Sequence, residues 1–249
     1  GASGERVYAT STNMSGGAQG NSFVVRKTKP TVTRQTVSPS SLSNGSVELY
    51  KFQASADAAG SIALKKFTVS FNKSTSSASS LDISTFRLMK GSTPMNTADY
   101  AITNQNGTDL TGASWPNGSS TGLLAIVFTG EETIAGTGNV YTLQATISGS
   151  SAGDSVSVSF RRTGDSTVRT GYLTASAATS TVGGYSLPGP QLDLGVAADG
   201  FADGSPGTFV WSDNSEVPHS SAAGTTTGSR DWTDDVYVDD LNSVQVLSR

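Results

Sequence analysis

An all-β fold, an antiparallel sandwich with long Ser/Thr/Gly-rich loops, is what this 249-residue sequence predicts, and three observations predict it. Its apolar residues fall in short runs that alternate with polar ones at a period of two, the pattern of strands with one wet face. Gly, Asn and Pro punctuate those runs at the spacing of turns. Only 35% of residues are hydrophobic and 14% charged, with Ser, Thr and Gly filling the difference, as suits the outer faces and loops of half-solvated sheets. A disordered chain would combine high net charge with few β-branched or aromatic residues. Here the net charge is −4, and those residues cluster. Seven or more such strands correspond to an immunoglobulin-like β-sandwich.

Along the chain, residues 1–22 are Gly/Ser/Asn-rich and read as an arm or linker, with one short strand at 6–10. Residues 31–37, after Pro30, suit an edge strand because proline cannot donate to a ladder. Tyr50, Phe52, Ala54 and Ala56 alternate with Lys51, Gln53 and Ser55. Phe67, Val69 and Phe71 alternate with Thr68, Ser70 and Asn72, and residues 57–61 form the turn between these two runs. Phe86 with Leu88 and Tyr100 with Ile102 mark two more strands. Residues 123–128 are apolar on both faces, as expected of a central strand. Tyr141, Leu143, Ala145 and Ile147 form one face of the next strand, and Val156, Val158 and Phe160 one face of its successor. The link at 149–153 has hairpin length. Candidate strands at 192–196, 208–211, 236–238 and 244–247 complete the chain. The expected organisation is a sandwich over 23–249, with 190–249 as an acidic C-terminal extension of the same domain.

Charge is uneven. Residues 1–189 carry 14 basic and 10 acidic side chains, and residues 190–249 carry 2 and 10. An N-terminal basic group (Arg6, Arg26, Lys27, Lys29, Arg34) and a C-terminal acidic one (Asp231, Asp234, Asp235, Asp239, Asp240) can steer head-to-tail contacts between copies, with two solvated surfaces of one domain as the alternative reading. The acidic balance and the lack of a basic-aromatic stripe disfavour nucleic acid. No stretch is long and apolar enough to span a membrane. The absence of cysteine removes thiol catalysis, cysteine zinc sites and disulfides together.

Three segments resemble one kind of protein. They are 49–69 (LYKFQASADAAGSIALKKFTV), 132–147 (ETIAGTGNVYTLQATI), and 208–214 (TFVWSDN) with Asp231-Trp232-Thr233. They resemble Ser/Thr-rich Ig-like surface proteins of environmental, candidate-phylum bacteria, as does the ending Val246-Leu247-Ser248-Arg249. The resemblance implies export and a place at the cell surface. It transfers no functional residue.

Candidate chemistry is sparse. His219, the single histidine, lies in a Pro-His-Ser loop without a nucleophile elbow nearby and reads as an exposed loop residue. Glu131 and Glu132 are adjacent, so on a strand they point to opposite faces and cannot flank one bond; they read as a solvated strand end. Asp199, Asp203, Asp213, Asp231, Asp234 and Asp235, with Glu216 nearby, offer the hard oxygen ligands that calcium prefers; no cofactor is required, calcium is the one candidate, and ordinary solvated acids are the alternative reading. Five glycosylation sequons, at Asn13, Asn44, Asn72, Asn106 and Asn117, fall in predicted loops. Trp115 is expected to pack at a sandwich end, with stacking on a sugar ring as its alternative role.

The expected function is a non-enzymatic, secreted structural subunit of a filament, sheath or S-layer-like array. Its partners are copies of itself, joined head-to-tail or through the N-terminal arm adding to an exposed strand edge. An adhesin or glycan-binding module, with cell-surface glycans as partners, is the alternative. Deletion of residues 1–29 is expected to abolish assembly and spare the fold.

Overall fold

The computed structural model describes residues 26–57, 60–76, 80–104, 108–116, 120–160, 171–172, 181–182, 185–186, 209–221, 229, 231–234, 238 and 244–249. Its strands are β1 (Pro30–Arg34), β2 (Gly45–Ala56), β3 (Ile62–Ser74), β4 (Asp82–Lys90), β5 (Thr93–Pro94), β6 (Tyr100–Asn104), β7 (Thr121–Ile134) and β8 (Asn139–Ser148). They continue as β9 (Ser155–Phe160), β10 (Gly171–Tyr172), β11 (Thr181–Val182), β12 (Tyr185–Ser186), β13 (Phe209–Ser212), β14 (Trp232–Asp234) and β15 (Gln245–Ser248). Among the described residues there is no helix. Over the described residues the protein is all-β, with two antiparallel sheets arranged as a sandwich and β11 and β12 pairing as a separate two-stranded sheet. The first runs β1-β2-β8-β4-β5 and the second is built around β3 and β7.

Period-two alternation sets the facing. Val47, Tyr50, Phe52, Ala54 and Ala56 of β2 and Tyr141, Leu143, Ala145 and Ile147 of β8 meet Leu64, Phe67, Val69 and Phe71 of β3 and Val156, Val158 and Phe160 of β9 in one core. A bulge at Leu49 buries that residue beside Tyr50. Leu88 N–H donates to the Tyr100 hydroxyl at 3.0 Å, tying the two sheets at one end.

Strand β3 is the organising element. One side pairs with β7 along its length. The other side forks, with residues 63–67 pairing β13 and residues 69–74 pairing β9, which in turn pairs β15. The C-terminal candidates at 208–211 and 244–247 are therefore strands of the second sheet. The strand that pairs β13 runs from Trp232 to Asp234, and of the candidate at 236–238 residues 236 and 237 lie outside the described residues. The candidate at 192–196, like residues 1–22, lies outside the described residues.

Two expectations need correction. The link at 149–153 is an arch, not a hairpin, since β8 belongs to the first sheet and β9 to the second. Asp154, fully buried, ties this arch by accepting from Ser76 N–H and Ser151 N–H, both at 2.7 Å. Gly149 adopts φ +65°, and a Cβ there would lie 2.5 Å from the Ser80 carbonyl oxygen, so only glycine fits. The second correction concerns the outer face of β3. Thr68 falls on the polar side of the alternation, yet it is fully buried, as is Lys66, with Ala125, Val127 and Val210, and both have partners. Polar residues on alternate positions thus mark a wet face only where nothing closes over it.

Candidate functional site

The best-built polar cluster lies where β13 and β14 join the upper half of β3. A bulge in β7 prepares it: Val127 pairs Lys66 and Glu132 pairs Leu64, so residues 128–131 of β7 face the single Lys65. Lys65 Nζ fills the bulge by donating to the carbonyls of Thr129 (2.9 Å) and Gly130 (2.7 Å). Burial pushes its pKa down, and Glu131 partly opposes this.

At the end of the bulge the two glutamates part, as strand geometry demands. Neither is merely solvated. Glu132 accepts from the Tyr141 hydroxyl at 2.7 Å and pairs with Lys90 at 2.5 Å, linking β7 to the first sheet. Burial first, and then the Glu132 charge, push the Tyr141 phenol far above its usual range. Glu131 turns to the other face and meets His219 Nε2 at 3.1 Å.

His219 is therefore not an exposed loop residue. Its Nδ1 lies 3.0 Å from Asp231 Oδ2 and 3.2 Å from Ser229 Oγ, and its ring lies against Trp232 at 5.3 Å. A histidine, a serine and an aspartate stand together, but not as a catalytic triad. Nucleophile and orienting carboxylate must occupy opposite ring nitrogens. Here both share Nδ1, while Glu131 holds Nε2, and Ser229 Oγ donates to the Ser220 carbonyl. The arrangement is a charged clasp joining the end of β7 to the residue before β14.

The hydrogen bond to Asp231 raises the His219 pKa, burial opposes this, and the charges of Asp231 and Glu131 raise it further. For Asp231, burial works upward, but the hydrogen bond from His219 and the imidazolium charge oppose it, and the carboxyl is held at about 2. A raised histidine pKa gives stability that is complete below the unfolded value, about 6.5, and is lost as pH rises through the folded value. The depressed Asp231 pKa gives stability that is present above 3.8 and lost as pH falls toward about 2. The melting temperature of the native chain is thus expected to fall between pH 6 and pH 9 by more than that of His219→Gln. Parallel curves for the two proteins would remove the clasp from the account.

Beside the clasp, Arg26 lies between Asp213 and Asp231. It pairs with Asp213 Oδ1 at 3.3 Å, donates to the Asp231 carbonyl and sits over the Trp211 ring at 5.7 Å. Lys27 N–H donates to Asp213 Oδ2 at 2.6 Å, and Ser215 Oγ donates to Asp213 Oδ1 at 2.7 Å. Arg26 of the basic group therefore meets Asp213 and the Asp231 carbonyl within one molecule. Arg26 and Lys27 also belong to the fold, so a deletion through residue 29 would remove an anchor along with the arm.

Three of the six expected calcium ligands fall among the described residues. Asp213 and Asp231 face Arg26 and His219 as counter-cations, Asp234 is a residue of β14, and Asp199, Asp203 and Asp235 lie outside the described residues. Among the described residues no group of three or more His, Cys, Asp or Glu is placed to hold a metal. Of the sequons, Asn44 accepts from Ser150 N–H and Oγ, and Asn72 is an exposed position of β3 rather than of a loop; Asn13, Asn106 and Asn117 lie outside the described residues. Trp115 is buried and packs on Phe71 at 4.5 Å, so it offers no sugar platform.

No family model matches the chain. No curated protein matches it either. Among solved structures it is similar to the pilus backbone protein RrgB from Streptococcus pneumoniae, with 12% identity over 53% of this chain and 51% of that one, and a TM-score of 0.25. The chain thus spans about half the length of that structure.

Proposed function

We propose that this chain is a structural protein of the cell surface or extracellular space that self-associates into a filament, sheath or layer. The observation that carries the reading is the use made of ionisable groups in the best-built cluster. Arg26 with Asp213, His219 with Asp231 and Glu131, and Lys90 with Glu132 each fasten one part of the chain to another. An enzyme leaves a reactive group poised toward an open cleft; among the described residues these ionisable groups serve cohesion. The Ser/Thr-rich composition and the sequence resemblance support a surface location.

Sedimentation and negative-stain electron microscopy of the purified chain test this. Concentration-dependent oligomers or ordered polymers are expected. A monomer at every concentration up to the solubility limit would refute self-association.

A further inference from the structure

An amide carbon becomes reactive when a nucleophile is tethered beside it and donors hold its oxygen. The second condition is met at Asn44, the residue before β2. Asn44 Oδ1 accepts from Ser150 N–H at 3.1 Å and from Ser150 Oγ at 2.7 Å. A backbone N–H can be met only by an oxygen, so this contact fixes the orientation of the amide and places Nδ2 on the far side of Cγ. Ser150 is 7% exposed, and its hydroxyl in turn accepts from Arg249 Nη1 at 2.6 Å. The hydroxyl is thus committed to Asn44 as a donor and is polarised by the guanidinium behind it.

Gly45 supplies the tethered nucleophile. Its backbone nitrogen follows Asn44 directly, close enough to close a small ring on the side-chain carbon. Gly45 adopts φ +112°, a conformation that favours glycine, so the nitrogen carries no side chain to shield it. A Cβ at Gly45 would meet nothing within 4 Å, which leaves the peptide uncrowded on that side. Asn44 and Gly45 are both exposed, which lets water enter and a small leaving group depart.

We propose that Asn44 is a self-catalysed modification site, at which the Gly45 nitrogen attacks the Asn44 side-chain amide while Ser150, backed by Arg249, holds the developing oxyanion. The bond from Gly45 N to Cγ forms and the bond from Cγ to Nδ2 breaks. Ammonia leaves, carrying the proton of the Gly45 amide. The resulting succinimide takes up one water at either of its carbonyls, giving aspartate or isoaspartate at position 44. The sequence of steps consumes one water, releases one ammonia and needs no oxidant, reductant or second protein. In the aspartate product the new carboxylate faces the same Ser150 donors with Arg249 behind them, so the groups that promote the reaction also stabilise what it makes. In isoaspartate the main chain is one methylene longer just where β2 takes up its register with β8, Gly45 against Ile147. The proposal is independent of the self-association reading.

The test incubates the full chain at neutral pH in heavy-oxygen water, well below its melting temperature, and maps its peptides by mass spectrometry over time. Uptake of one heavy oxygen at residue 44 is expected, divided between aspartate and isoaspartate, which chromatography separates. Asn44→Gln, whose longer side chain would have to close a larger ring, should show no uptake at that position. Ser150→Ala and Arg249→Gln leave Asn44-Gly45 in place, and thermal melts establish that each is folded. Each is expected to slow the uptake at least about tenfold, since loss of one oxyanion donor costs about 10²–10³ in dedicated enzyme sites. If either folded variant reacts at the native rate, the donors do not act on the oxyanion and the proposal is overturned. If either reacts faster, the donors restrain Asn44 instead of activating it, which overturns the proposal as well. A native chain that takes up no oxygen at residue 44 rules out the site altogether.

Discussion

Replacing Asp213 by alanine is expected to cost about 3–5 kcal/mol, the range for removing one partner of a buried ion pair. The reason is what remains behind. Arg26 and Asp213 have side chains 4% and 0% exposed, so the variant leaves a guanidinium without its carboxylate and without access to water. Lys27 N–H and Ser215 Oγ lose their acceptor at the same stroke, and each buried donor left unpaired adds its own desolvation cost. Two strand systems depend on this carboxylate, because it fixes the entry to β1 against the exit of β13. With total stabilities of ordinary domains at about 5–15 kcal/mol, much of the fold's margin is at stake. Urea unfolding followed by tryptophan fluorescence measures the loss. The double variant Arg26→Met with Asp213→Leu is expected to be far less damaged, since it removes both charges and keeps volume. Equal losses in the single and double variants would show that packing, not the orphaned charge, sets the cost.

This cluster was the least legible part of the sequence, and the reason is physical. Arg26 and Asp213 are 187 residues apart, and His219 and Glu131 are 88 apart. A lone charged residue carries no local sign of its distant partner, so His219 reads as a loop residue and Glu131 with Glu132 as a strand end. Facing was far more legible. The alternation in Tyr50–Ala56 and Tyr141–Ile147 is imposed by the pleat, and the same side chains are buried in the folded chain. Pairing is a different matter. The runs ending in Ile147 and beginning at Val156 look the same whether they form a hairpin within one sheet or face each other across a sandwich, because both arrangements point them at one core. Asp154 and the clash a Cβ would meet at Gly149 decide for the arch. The ladder with β13 forms on Trp232-Thr233-Asp234, a segment with little alternation to announce it. There the buried Trp232 indole also donates to the Ser220 carbonyl at 2.9 Å.

The core offers the second large effect. Phe52 is fully buried at the centre of an aromatic group drawn from both sheets. Phe160 lies 4.9 Å away and Phe67 5.0 Å, both edge-on, with Tyr141 at 5.4 Å and Tyr50 at 6.4 Å. Phe52→Ala removes the ring that β2 presses into the opposing strands β3 and β9. The expected loss is about 3–5 kcal/mol, from transfer of the ring and from the cavity left behind. Edge-on aromatic pairs contribute about 0.5–1.5 kcal/mol beyond buried area, so Phe52→Leu should recover only part of the stability despite filling much of the space. Electrostatics separates this loss from that of Asp213→Ala. The Phe52 variants should show the same dependence of melting temperature on pH as the native chain, because no titrating clasp is touched. The isolated strands also predict where the damage spreads. Phe71, Phe86 and Trp115 form a separate aromatic contact set toward the other end of β3, so amide exchange in Phe52→Ala should accelerate most across Phe67 and Phe160 and least around Trp115. Uniform acceleration across both groups would mean that the sandwich opens as one unit and that Phe52 holds no local share of it.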